Sequence, residues 1–255
     1  MIPSSIFLSL AVLSWLFIAS AAGFVSRPTT QKTNVLVTTA LPATVSPDEE
    51  GSTILSNPMF IEPLTQARQP THKSPDELMA IAKKFLVTSN GLGGDPDMLA
   101  DDFTFEGPVV GPLPKKDFVQ AIGNVDFVKA FPHWKPQFYG FYVDPLDPQG
   151  NRVCYTAKGE GVNEGPLVPF APTATHKTVV NPPQACSITI DHASGLITRY
   201  TIGYVTDRTV GNTGGLGGLY GILYAIGRPL PFPEAQPWKK SIPYKLFQAV
   251  GALLN

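Results

Sequence analysis

The spacing of apolar residues changes once along this chain, near Pro132, and that change limits the fold more than any other feature. Before it the apolar positions recur every three or four residues; after it they alternate. The helical part begins at Ser74-Pro75-Asp76-Glu77, a capping box with proline at the first helical position. Leu78, Ile81, Ala82, Phe85 and Leu86 then share one face, and Asn90-Gly91 ends the helix. Residues 96–102 read as a short helical turn. A strand, Phe103-Thr104-Phe105, follows and stops at Gly107-Pro108. A second long helix is expected over 115–131, with Phe118, Ile122, Val125 and Val128 inward. Residues 137–143, 152–162, 174–180, 185–190 and 196–208 read as strands, each bounded by Pro, Gly, Asn or Asp. Helices first and an antiparallel meander after them make an α+β layout.

A net charge of −1 over the whole chain gives no electrostatic footprint for nucleic acid or for an anionic membrane surface. The 26 prolines and 23 glycines make up about a fifth of the chain and mark loops and tails. Residues 6–22 form an apolar run ending in small residues, which fits a signal-peptide core and an A-x-A-like cleavage site, although no Lys or Arg precedes it. Residues 24–47 contain no Asp or Glu and many Ser and Thr, a transit-peptide composition. With Ala19-Ser20-Ala21-Ala22-Gly23-Phe24 before it, this stretch resembles the bipartite plastid presequences of algae with secondary plastids. The resemblance implies a plastid location; secretion, another endomembrane lumen or a retained signal anchor are the alternatives. The chain thus divides into a signal peptide (1–23), a transit-like segment and linker (24–73), a central domain (74–210) and a Gly/Pro-rich tail with a C-terminal helix (211–255).

The segment Leu99-Ala-Asp-Asp-Phe-Thr-Phe-Glu-Gly-Pro-Val-Val-Gly-Pro-Leu113 resembles the entry of SnoaL-like domains in the nuclear transport factor two-like superfamily. Pro172 to Asp207 is similar to their second half. The resemblance implies a cone, in which a strongly curved, mostly antiparallel sheet packs on the N-terminal helices around a pocket. Such domains include polyketide cyclases, dehydratases, isomerases and hydrolases, and also non-catalytic binders, so the fold alone does not choose a function.

On that resemblance Asp207 takes the acidic position at the end of the last strand. There an apolar pocket would raise its pKa and suit it to proton transfer; pairing with Arg208 or capping the next turn is the plainer role. Alternation sets Arg199, Thr201, Gly203, Val205 and Asp207 on one face, where Arg199 could hold an anionic or enolate oxygen, and a bulge would exchange the faces. Glu160 lies near the position where relatives carry an inward His, which is absent here. Trp134, Tyr139, Phe141, Tyr155, His176 and Tyr204 are the candidate ligand-facing residues, with an ordinary core stripe as the alternative. Cys154 and Cys186 read as buried thiols that could bridge only if their strands are neighbours. No Cys/His spacing suggests a metal, and the Gly-rich stretch 211–221 lacks the Lys-Ser/Thr of a phosphate loop. The favoured reading is a binder of a small hydrophobic molecule such as a pigment, lipid or polyketide- or terpenoid-like compound. The alternative is a cofactor-independent enzyme with Asp207 as proton carrier.

In the tail, residues 216–226 are apolar but too few to span a bilayer. Residues 241–254 read as an amphipathic helix with Ile242, Leu246, Phe247, Val250, Leu253 and Leu254 near one face. It would fold back on the sheet, close the cone or lie peripherally on a membrane or partner, or form a homodimer contact; no transmembrane span is expected in the mature chain. N-terminal sequencing of the mature protein should find its first residue at Gly23, Phe24 or further in, as late as Ser74. An intact Met1 on soluble, assembled protein would refute this.

Overall fold

A computed structural model describes residues 72–253; the leader and most of the transit-like segment lie outside the described residues. Helix α1 spans Pro75–Leu86 and starts as expected. The Ser74 hydroxyl accepts from the Glu77 amide, and the Glu77 carboxylate accepts from the Ser74 amide in return. Leu78, Ala82, Phe85 and Leu86 are buried. The helical turn expected over 96–102 is shorter: a 3-10 turn, Pro96–Met98, is capped by the Asp95 carboxylate, and strand β1, Leu99–Glu106, follows at once.

The second long helix is two pieces, α2 (Lys115–Gly123) and α3 (Phe127–Ala130). The Asp126 carboxylate accepts from the Lys129 amide and restarts the chain in a new direction. This turn sends Phe118 into one hydrophobic cluster and Phe127 and Phe131 into another, and it leaves Val128 exposed rather than inward.

The other strands are β2 (Leu113–Pro114), β3 (Lys135–Val143), β4 (Arg152–Val162), β5 (Thr178–Val180), β6 (Gln184–Ile190) and β7 (Ile197–Val205). They form a seven-stranded sheet in the order β2-β1-β7-β6-β4-β3, with β5 beside β4. Only the β1–β7 pair is parallel, so the sheet is mixed but mostly antiparallel. β5 is shorter than the expected 174–180 because the side chain of buried Asn163 accepts from both the amide and the hydroxyl of Thr175. That clamp holds the preceding residues in a loop.

The sheet is strongly curved. Register shifts fall between Tyr139 and Tyr142 on β3 and between Ala185 and Ser187 on β6, where Tyr204 and Thr201 of β7 stand opposite. Gly140 (φ 67°) and Gly203 (φ 91°) lie within these shifts, in a region that side chains avoid. Each extra residue bends its strand. The bent sheet wraps α1 and α2, and the first cluster fills the concave side with Phe85, Phe103, Phe118, Tyr155, Ile188 and Tyr200 among its members. This is the α+β curved-sheet architecture anticipated from the sequence.

The second cluster joins Phe127, Phe131, Leu167 and Val179 to helix α4 (Gly218–Ala225), which buries Ile222 and Leu223, and to Ile226 just after it. The core therefore draws on residues beyond 210. The Gln184 side-chain oxygen accepts from the Gly218 amide at 2.9 Å and ties the start of α4 to β6. Helix α5, Ile242–Leu253, contributes to neither cluster. Leu223→Ala should cost about 2–5 kcal/mol, whereas Leu246→Ala on α5 should stay within about 0.5 kcal/mol. Urea unfolding followed by circular dichroism separates the two; equal effects would contradict the packing.

Candidate functional site

Alternation along β4, β6 and β7 divides their side chains between two environments. Val153, Tyr155, Cys186, Ile188 and Tyr200 face α1 on the concave side. Arg152, Cys154, Arg199 and Thr201 line a groove of about 490 Å³ on the other side, together with Tyr142, Thr156 and Tyr204, and Tyr155 and Cys186 also border it.

The concave side is aromatic. Phe141 stacks on Tyr155 at 5.1 Å between ring centroids, and Phe138 meets the same ring edge-on at 5.9 Å. Both reach inward from one strand, although three residues apart, because the shift at Gly140 turns the strand between them. Phe85 and Phe105 set their rings against Tyr200 at 5.2 and 5.7 Å. Lys83 lies over Phe141 at 5.1 Å. Two phenols and a thiol are the polar groups within this apolar wall. The Tyr155 hydroxyl is buried and interacts with the Tyr200 hydroxyl and the Cys186 thiol, without a well-aligned hydrogen bond of its own. The Tyr200 hydroxyl also reaches the Leu92 carbonyl, at a long 3.5 Å. Burial pushes the Cys186 thiol up to about 12 and lifts both phenols above their ordinary range.

The groove is polar and internally paired. Arg152 lies 3.6 Å from Asp144 and donates to the Ser187 hydroxyl at 3.1 Å. The Ser187 and Thr201 hydroxyls share a bond of 2.7 Å, and Arg199 pairs with Glu106. Each guanidinium thus has its own carboxylate.

The structure disperses the residues proposed from the sequence. Asp207 lies beyond the end of β7, fully exposed; the hydroxyl and amide of Thr209 donate to its carboxylate and hold it below the usual range. It caps a turn instead of facing a pocket. Glu160 is exposed and stands 3.9 Å from Lys135. Arg199 lines the outer groove, not the concave side. The bulge at Gly203 exchanges the faces of β7, so Tyr204 joins Arg199 and Thr201 in that groove. Tyr139 points outward from β3, and His176 is exposed in the loop before β5.

Trp134 has a structural place. It meets Phe127 and Phe131 edge-on and lies against Gly159 and Gly161, where an added Cβ would come within 2.5 and 2.8 Å of the indole. Of the proposed residues, Phe141 and Tyr155 meet on the concave side, beside Tyr200 and Cys186. Cys154 and Cys186 are both free. Their strands are neighbours, but Cys186 pairs with Tyr155 and Cys154 with Ser187, which sends the thiols to opposite faces.

No protein-family profile and no curated protein matches this chain. Among solved structures, a candidate SnoaL-like polyketide cyclase from Jannaschia sp. CCS1 is similar over 65% of this chain and 99% of its own, at 13% identity and a TM-score of 0.43. A phenazine biosynthesis-related protein from Pseudomonas aeruginosa is similar over 66% of this chain and 94% of its own, at 17% identity and 0.39. An LEH-like epoxide hydrolase from M. tuberculosis is similar over 50% and 82%, at 13% identity and 0.35. At such identities the likeness concerns backbone arrangement alone.

Cys186, Tyr155 and Tyr200 all hold their protons more tightly folded than unfolded. The stability they contribute is complete below the ordinary thiol value of 9.0 and declines as pH climbs from there through about 12. Urea midpoints measured from pH 7 to 11 should therefore fall above pH 9, and Cys186→Ala should flatten the decline. Alkylation of the native protein should reach the half-buried Cys154 well before Cys186. A flat alkaline profile or the reverse labelling order would place these groups outside the interior.

Proposed function

We propose that the domain binds a small hydrophobic molecule on the concave side of its sheet, where the packed side chains around Phe138, Phe141, Tyr155 and Tyr200 part to admit it, without acid/base chemistry. The observation that carries this reading is the Tyr155 hydroxyl, buried beside the Tyr200 hydroxyl and the Cys186 thiol in an otherwise apolar wall. A bound molecule with one polar end would find its hydrogen-bonding partner there. The rings around it supply flat apolar contact. A pigment, lipid or polyketide- or terpenoid-like compound has the required character, an extended apolar body with a single acceptor or hydroxyl. The enzyme reading loses support because Asp207, its proton carrier, stands in water beside Thr209. The plastid location belongs to the same proposal and rests on residues 19–47.

Tyr155→Phe separates ligand from scaffold. It removes the hydroxyl and keeps the ring, so the empty protein should stay within about 1 kcal/mol of the wild type. Affinity for a bound apolar molecule, identified by native mass spectrometry of protein from its own source, should fall about tenfold, the effect of one hydrogen bond. Asp207→Asn should leave binding unchanged. Unaltered retention by Tyr155→Phe would count against this site, and loss of retention with Asp207→Asn would restore the catalytic alternative.

A further inference from the structure

Every described side chain of α5, from Ile242 to Ala252, is exposed. Ile242 is 83% accessible, Phe247 74%, Leu246 65% and Val250 48%. At helical spacing Ile242, Leu246, Ala249 and Val250 follow one side with Phe247 at its border, and Tyr244, Lys245 and Gln248 occupy the other. The expectation that this helix folds back on the sheet is therefore not met, and a continuous apolar stripe stands uncovered by the domain.

The charge around that stripe indicates what covers it. No Asp or Glu occurs from Ala235 to Asn255, whereas Lys239 and Lys240 precede the helix and Lys245 lies on it beside the stripe. A second copy docking through the same helix would set these cations against their own duplicates, with no acid on either helix to answer them. An anionic surface answers all three. Trp238 and Tyr244 lie 6.4 Å apart at the start of α5, and Trp238 is exposed. Amphipathic rings in that position suit the headgroup level of a bilayer. At 12 residues α5 is about 18 Å long at 1.5 Å per residue, and no helix among the described residues is long and apolar enough to cross a membrane. An anchor of this length lies in the plane of the surface.

We propose that α5, with Trp238 to Lys245 at its base, docks the domain peripherally on an anionic lipid surface. This stands apart from the pocket reading, since no residue of α5 belongs to the concave cluster.

Hydrogen exchange on the full chain tests it locally, so the N-terminal apolar run, common to every sample, does not confound the result. Vesicles of phosphatidylcholine alone are compared with vesicles that also contain phosphatidylglycerol. With the anionic vesicles, amides of 242–253 should exchange about tenfold more slowly; with neutral ones the change should be small. Replacing Lys239, Lys240 and Lys245 by Gln should weaken α5 protection by roughly a hundredfold in the lipid concentration required. Leu246→Ser with Phe247→Ser should abolish it while the melting temperature holds. Amides of α5 that ignore anionic vesicles, or protection that survives the double Ser variant, would overturn the proposal. So would protection that rises with protein concentration in the absence of vesicles, which would assign the stripe to a second copy.

Discussion

The bend of the sheet is the constraint on which the other features rest. A flat seven-stranded sheet could cover a helix on one face but could not enclose α1 and α2 together. The bend comes from extra residues placed at Gly140 and Gly203, where positive φ is available without a Cβ penalty. Each shift also reassigns side chains. At Gly140 it turns Phe138 and Phe141 to the same concave wall, and at Gly203 it moves Tyr204 to the outer groove. Curvature and the composition of the candidate site thus have one origin.

Buried polar side chains brace the second hydrophobic cluster and tie it to the sheet. Asn163 donates to the carbonyls of Ala130 and Gly165 and accepts from Thr175, so a buried amide joins the end of α3 to the loop before β5. Gln184 does the same for the start of α4. Such groups are tolerated in an interior because their hydrogen bonds are made. At Tyr155 the neighbours of the buried hydroxyl are another phenol and a thiol, Tyr200 and Cys186, and these are the polar groups that a bound molecule would meet.

Much of the architecture was legible in the sequence because it depends on local signals. The capping box at Ser74 and the alternation in 152–162 are read correctly, and β4 has the expected ends. The break at Asp126 was missed because apolar spacing continues across it; only the capping carboxylate marks the turn. Helix α4 was hidden by its glycines, which lower helix propensity but here permit close packing. The site was less legible for a different reason. Tyr204 reaches the outer groove because of a bulge at Gly203 that alternation does not reveal, and Asp207 misses the sheet because β7 ends at Val205.

The indole of Trp134 occupies space that exists only because positions 159 and 161 carry no side chain. These three positions, distant in sequence, are therefore not free to drift separately. A methyl group gained at either glycine is admissible only if the indole has first been exchanged for something smaller, and that exchange opens a void beside Phe127 and Phe131 until the glycine is replaced. Whichever change came first would pass through a less stable intermediate. The trio should accordingly be inherited as a unit, and a lineage that has lost one member should have lost the others.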